Sequence, residues 1–244
     1  MPQAPIRVHE LEACDSTQDE LRVLAAAGAP AFTAVRADVQ RAGRGRRGRS
    51  WEAPAGTALL VSILLRPQRP QRELPVLSLA GGIAAVECAR AFGAAARLSW
   101  PNDVVCEERK LAGVLAELGP DASVLLGVGM NLAARASDLP AGDRLAPTSL
   151  LLETGAAPRA SQALVPLLEA VRTLAGIFDA EGPAAIAARA RTLDALEGRA
   201  VQLRLAGGEV VEGTAAGIAD DGSLVVRSGD DTRRYASGEV VRLT

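Results

Sequence analysis

The sequence predicts an α+β fold followed by a small all-β module. Three observations predict it. Strands and helices mix over the first 195 residues without the strict βαβ alternation of a parallel sheet. Near residue 195 the helical period stops. From Gly198 onward only short strand-like runs remain, cut by Gly207-Gly208, Asp221-Gly222 and Gly229. Finally, 244 residues with 48% hydrophobic and 23% charged side chains make an ordinary packed, soluble composition. The expected division is a mixed domain over 1–195 and a β module over 196–244, most economically a small barrel.

Residues 7–14 alternate and read as a strand. Asp15-Ser16-Thr17 offers an N-cap for a helix over 18–27, which Gly28 and Pro30 end. Residues 32–39 read as a second strand, 40–50 as a loop and 56–65 as an apolar, buried strand. Three prolines make 66–75 a surface connection. Residues 76–92 read as an Ala-rich helix, with small residues at Ala80-Gly81-Gly82 where a neighbour can pack closely. Short strands follow over 97–100, 103–106, 111–118 and 123–130, then a loop around 138–147. Helices are expected over 149–153, 161–179 and 183–191. Strands over 200–205, 210–216, 223–227, 232–235 and 239–243 complete the chain.

Composition excludes several function classes. The net charge of −2 gives no global reason to bind nucleic acid. Apolar runs such as 55–65 are too short to cross a bilayer. Pro2, Pro5, Arg7, Glu10 and Glu12 interrupt any signal peptide, so the cytoplasm is the expected location. The three cysteines, Cys14, Cys88 and Cys106, lack CxxC spacing and argue against a disulfide framework or a zinc cluster. His9 is the single histidine, which removes His-pair metal motifs. Nearly all cationic charge is arginine. Lys110 is the only lysine in the chain, which marks a position where arginine would not serve.

Three clusters carry possible chemistry. Residues 40–51 read Gln40-Arg41-Ala42-Gly43-Arg44-Gly45-Arg46-Arg47-Gly48-Arg49-Ser50-Trp51, with five arginines and no acid between Asp38 and Glu52. Such a loop repels itself and is expected to be mobile until phosphate or carboxylate groups order it. Gly43, Gly45 and Gly48 spell GxGxxG. That fingerprint must open a helix, whereas this run leads into Trp51, Pro54 and an apolar strand. The second cluster is Trp100-Pro101-Asn102-Asp103 with Lys110-Leu111-Ala112-Gly113-Val114-Leu115. A plain β-turn explains Asn102-Asp103 equally well, and the sole lysine one strand away tilts the reading toward a site. The third is Leu125-Leu126-Gly127-Val128-Gly129-Met130-Asn131. Its glycines fit either close approach of a ligand or tight strand packing.

These clusters, in this order and with Ser16-Thr17 before them, resemble the biotin protein ligases. That family shows S-T-N or S-T-Q, then Q-x-x-G-R-G-R-x-G-R-x-W, then K-W-P-N-D…K-[LIV]-x-G, then G-[IV]-G-x-N. Two departures are visible: Ser99 stands where the family usually has lysine, and Gln18 replaces the commoner asparagine. The resemblance implies a mixed sheet flanked by helices, the class II synthetase-like or biotin–lipoate ligase fold, closed by an SH3-like barrel. It implies that biotin is activated by ATP to biotinoyl-5′-AMP and then transferred to a lysine of a biotin carboxyl carrier domain of a carboxylase. Mg²⁺ would ride on ATP, with no protein metal centre.

By the same resemblance, Lys110, Arg46 and Asp103 are the catalytic candidates. Ser16, Thr17, Gln40, Gly43, Arg44, Arg46, Lys110, Gly113, Leu115 and Gly127 are candidates for binding biotin. Arg47, Arg49, Trp51, Asn102, Asp103, Lys110 and Asn131 are candidates for binding ATP. Arg199 and Glu239 are weaker candidates for nucleotide contact. Bifunctional relatives carry an N-terminal DNA-binding domain, and only fifteen residues precede Ser16, so a ligase without operator binding is expected, as a monomer or weak homodimer. The rival readings are a lipoate ligase of the same superfamily, an RGG-like nucleic-acid binder using the arginine loop, and a family relative that has lost activity.

Overall fold

A computed structural model describes residues 5–140 and 145–242. Residues 141–144 of the expected 138–147 loop, and residue 243 of the last expected strand, lie outside the described residues.

The chain builds two sheets. The first holds seven strands: β1 (Arg7–Cys14), β2 (Thr33–Gln40), β3 (Ala58–Leu65), β4 (Ala96–Ser99), β5 (Asp103–Cys106), β6 (Arg109–Leu118) and β7 (Val124–Asn131). Their order is β1-β2-β3-β7-β6-β5-β4. Helix α1 (Thr17–Ala26) joins β1 to β2, which run parallel; every other pairing is antiparallel. The sheet is therefore mixed, as expected. Helix α1 begins where the sequence places its cap: the Ser16 hydroxyl accepts the Gln18 N–H.

The two faces of this sheet are filled differently. One face carries Val61, Ile63, Val114, Leu126 and Val128, packed in a single core with α2 (Leu77–Ala91). Helices α4 (Ala160–Glu181) and α5 (Pro183–Leu193) pack behind α2. Small residues let α2 lie close: a Cβ on Gly81 would stand 2.8 Å from Val114 Cγ1 and 2.9 Å from Leu126 Cδ1. The segment Gln71–Ala91 is long and apolar enough to cross a membrane, with mean hydropathy 1.4, which corrects the length argument above. It is the core helix instead, with 72% of that window buried. On the other face, α1 covers Val35, Leu64 and Leu125 with Leu21 and Ala25. Farther along the same face the side chains shrink. Because strand residues alternate, Leu64 is followed on that face by Ser62, and Leu125 by Gly127 and Gly129. Pairing sets Ser62, Gly127 and Leu115 in one row across the strands and Leu60, Gly129, Gly113 and Asp103 in the next. This stretch of small residues is a hollow that no helix fills.

The second sheet is the small β module: β8 (Ala200–Arg204), β9 (Val210–Ile218), β10 (Leu224–Ser228), β11 (Asp231–Tyr235) and β12 (Glu239–Arg242), antiparallel in the order β11-β10-β9-β8-β12. It packs against the first unit beside the hollow. The Trp100 indole donates to the Gly222 carbonyl at 2.9 Å, and Gly222 sits over Val76 and Leu79. The short helix α3 (Leu150–Thr154) follows a segment that pairs with β6: the Lys110 N–H donates to Ala146 and the Lys110 carbonyl accepts from Thr148.

Candidate active site

The hollow is the floor of an open cleft of about 870 Å³, counting its mouth. At one end stand Thr17 and Gln40. The Gln40 amide oxygen accepts from the Thr17 backbone N–H at 2.8 Å and hydroxyl at 3.0 Å, while the Thr17 and Ser62 hydroxyls bond at 2.8 Å. Gln18 lies over Gly127; a Cβ there would be 3.3 Å from its amide carbon. Its amide nitrogen donates to Leu125 O and Glu117, and its oxygen is buried with no hydrogen-bond partner among the described residues. This end presents several neutral polar groups fixed in an otherwise apolar wall, the usual way to orient a small organic ligand.

The middle is electrostatic. The Lys110 ammonium lies 2.8 Å from Asp103 Oδ1, and Asp103 is 1% exposed. The two come together because β5 and β6 pair with a register shift between Val104 and Val105. Asn102 donates its amide to Val114 O and accepts from Arg46 at 3.0 Å. Trp51 lies flat on the glycines of β6 and β7: a Cβ on Gly129 would be 2.5 Å from its ring, and one on Gly113 would be 3.1 Å from it. The same ring centroid is 5.6 Å from the Lys110 ammonium, within cation–π range. A Cβ at 129 would strike the indole, and one at 113 would crowd it.

The arginine loop forms the roof. It closes on itself through the Gly45 N–H to Arg49 O bond and the Trp51 N–H to Gly43 O bond, with a short turn at Arg46–Gly48. Arg47 takes the left-handed conformation at φ 57°, and Gly48 follows at φ 74°. The self-repulsion read from sequence is offset by carboxylates from distant elements: Arg44 bonds Asp19, and Arg49 bonds Glu239 of β12. Arg47 lies 3.8 Å from Glu239 and reaches Arg204 O.

Most of the expected site residues therefore meet in one cleft: Ser16, Thr17, Gln40, Arg44, Arg46, Arg47, Arg49, Trp51, Asn102, Asp103, Lys110, Gly113, Leu115, Gly127 and Glu239 all line it. Three expected positions stand elsewhere. Gly43 shapes the loop from behind; a Cβ there would be 2.3 Å from Trp51 O. Asn131 is buried at the end of β7, with its amide on Thr148 O at 2.8 Å. Arg199 is used through its backbone, whose N–H donates to Leu196 O and whose carbonyl accepts from Ala215. Ser99 lines a separate small hollow with Glu107, Glu108 and Leu196, so it leaves no gap in the cleft wall.

Sequence reasoning did not select Gln18, Ser62, Gly129, Asp19 or Glu117 as site residues. Ser62 carried a signal: it is the one polar residue in Ala58–Leu65. Asp19 and Glu117 carried none, because their relation to the loop appears only once the chain folds. The cysteines stay outside the chemistry. All three are buried, and burial pushes the Cys88 thiol up to about 12, the Cys106 thiol up to about 11 and raises that of Cys14. Protonated thiols are poor nucleophiles. Among the described residues no group of three or more His, Cys, Asp or Glu side chains could hold a metal ion.

Comparison with known proteins agrees with this geometry. The sequence model of the Biotin/lipoate A/B protein ligase family matches residues 12–131, and that of the Biotin protein ligase C terminal domain matches residues 198–243. The chain is 35% identical over 235 residues to the biotin–[acetyl-CoA-carboxylase] ligase of Mycobacterium tuberculosis, covering 93% of this chain and 86% of that one. It is 33% identical over 209 residues to the bifunctional ligase/repressor BirA of Escherichia coli, covering 84% of this chain and 64% of the length of that relative. The biotin protein ligase from Aquifex aeolicus in complex with biotin and ATP superposes with a TM-score of 0.83 at 27% identity, over 97% of this chain and 98% of that one. On these grounds the chain belongs to the biotin protein ligase branch of the biotin/lipoate A/B protein ligase family.

Proposed function

We propose that the chain is an ATP-dependent biotin protein ligase that makes biotinoyl-5′-AMP and passes the biotinoyl group to a lysine of a biotin carboxyl carrier domain. The observation that carries this reading is the Lys110–Asp103 pair, set under Trp51 between a neutral polar end and a roof of arginines.

The physical problem is to bring a carboxylate to a polyphosphate. Two unit charges ~4 Å apart interact by ~4 kcal/mol at an effective dielectric of about 20. In the first step a biotin carboxylate oxygen forms a bond to the α-phosphorus, and the bond from that phosphorus to the bridging oxygen breaks, releasing pyrophosphate. Lys110 contacts both reacting anions; its compact charge reaches a point where an arginine fork would be held away. Asp103 orients Lys110, and Asn102 orients Arg46. Arg46 and Arg47 meet the phosphates, and Trp51 stacks on the adenine. Ser16, Thr17, Gln40 and the wall at Gly113, Leu115 and Gly127 hold the bicyclic ring and chain of biotin, with backbone help from Gly43 and Arg44. Arg49 fixes the roof, and Asn131 acts from outside the cleft, where its amide ties the end of β7 to Thr148 O. In the second step a carrier lysine amine attacks the acyl carbon, an amide forms and AMP leaves. The closed roof keeps water from the anhydride.

Mg²⁺ would arrive on the nucleotide. Because Lys110 holds the Asp103 carboxylate and Arg46 holds the Asn102 oxygen, the phosphates would carry most of such a cation's ligands, and it would supply charge neutralisation there. We assign residues 1–195 to the catalytic unit and 196–244 to the β module, and the cytoplasm as the location. The test is transfer: biotin, ATP and Mg²⁺ with an apo carrier domain should yield one added biotinoyl group by mass, absent from a carrier whose acceptor lysine is changed to arginine. Transfer of lipoate in place of biotin would overturn the substrate assignment.

A further inference from the structure

Among the roof arginines, Arg44 rests on carboxylates from two other elements: its Nη2 is 2.6 Å from Asp19 Oδ1 on α1 and 3.6 Å from Glu117 Oε2 on β6. Glu117 is itself fixed from behind. The same oxygen accepts from Arg22 at 3.0 Å and from the buried Gln18 amide at 3.1 Å. Glu117 therefore stays in place whether or not Arg44 is bound, which makes it a ready acceptor. To meet an incoming anion, Arg44 would have to leave two carboxylates.

We propose that Asp19 and Glu117 are positioning residues: they grip Arg44 and so hold the leading half of the arginine loop across the cleft. The inference rests on the proposed function for its consequence, retention of the acyl-adenylate, but not for the grip itself. Asp19 also lies in the first turn of α1, where any acid favours the helix dipole. Glu20 shares that first turn and has no ion pair with the loop among the described residues, so it separates the two roles.

The experiment is backbone hydrogen exchange on the ligand-free protein, read at the Gly45 and Trp51 amides, whose bonds to Arg49 O and Gly43 O hold the fold of the loop. Four proteins are compared: wild type, Asp19→Asn, the double variant Asp19→Asn with Glu117→Gln, and Glu20→Gln. Glutamine at 117 can still accept from Gln18, so the cleft end is preserved. The double variant should exchange about three- to tenfold faster at these two amides, as two half-exposed pairs lost together allow. Amides of β3 and β7 should be unchanged, and Glu20→Gln should match wild type. Loss of biotinoyl-adenylate to solution should rise by a similar factor while pyrophosphate exchange stays within about twofold. Unchanged loop exchange in the double variant, equal acceleration in Glu20→Gln, or faster exchange with unaltered adenylate loss would each overturn the proposal. Faster loop exchange in a protein whose wild type makes no biotin adenylate would leave the grip standing and overturn the proposed function instead.

Discussion

The two faces of the large sheet use the same device for opposite ends. On the helix face, Gly81 of α2 lets Val114 and Leu126 press into the helix, and the gap closes completely. On the cleft face, Gly113, Gly127 and Gly129 also remove side chains, but Trp51 and Gln18 come down only at the two ends. What remains between them is open and lined by Lys110, Asp103 and Asn102. A missing Cβ is therefore a packing device where an apolar neighbour follows, and a site-making device where the neighbours are polar and few. The difference lies in what each strand's alternate positions face, not in the glycines themselves.

The largest effect expected on this comparison is at the charge the cleft face was opened to hold. Lys110→Ala should lower the rate of adenylate formation by about 10²–10³, the usual loss when one preorganised transition-state contact is removed. The thermal midpoint should fall as well, since the buried Asp103 carboxylate loses its counter-charge. Initial-rate assays beside a melting curve check both halves.

Next come alanines at the glycines of the two faces. Gly129→Ala drives a methyl into the Trp51 ring and should raise KM for ATP about tenfold, with a small stability change. Gly81→Ala drives one into Val114 and Leu126. Overpacking of about 1–3 kcal/mol, offset by about 1 kcal/mol of helix propensity, should lower the unfolding free energy, while the remaining folded protein keeps its kcat. If Gly129→Ala were merely unstable, or Gly81→Ala inactive while folded, the comparison between the faces would fail. A smaller effect is expected at Ser62→Ala. Losing the bond to Thr17 removes about 1 kcal/mol of fixation from the polar end. KM for biotin should rise about fivefold, and KM for ATP should hold in steady-state assays.

Much of this was legible in the sequence because it was local. The cap at Ser16, the buried strand at Ala58–Leu65, the small residues of α2 and the change of period near residue 195 are all written in neighbouring letters. So were the arginine run and the lone lysine. What was not legible depends on register. Asp103 and Gly113 share a row across β5 and β6 only after a bulge between Val104 and Val105 resets the pairing. Asn131 shares the face of Gly127 and Gly129, and Ser99 pairs with Asp103, yet neither lines the cleft: Asn131 stands one row farther along, bonded to Thr148 O, and Ser99 lies one strand farther out, on β4. The anchoring of the arginine loop by Asp19, Glu117 and Glu239 brings together residues 25, 73 and 190 positions from their partners. No local pattern announces such pairs.

The central claim is that the cleft joins a biotin carboxylate to the α-phosphate of ATP. Biotin-dependent exchange of labelled pyrophosphate into ATP tests it most directly, with lipoate and acid-free controls run on the same folded protein and Mg²⁺. The account predicts exchange with biotin, none without an acid, and a rate about 10²–10³ lower in Lys110→Ala. Exchange that proceeds equally in Lys110→Ala, or that requires lipoate and ignores biotin, would contradict it.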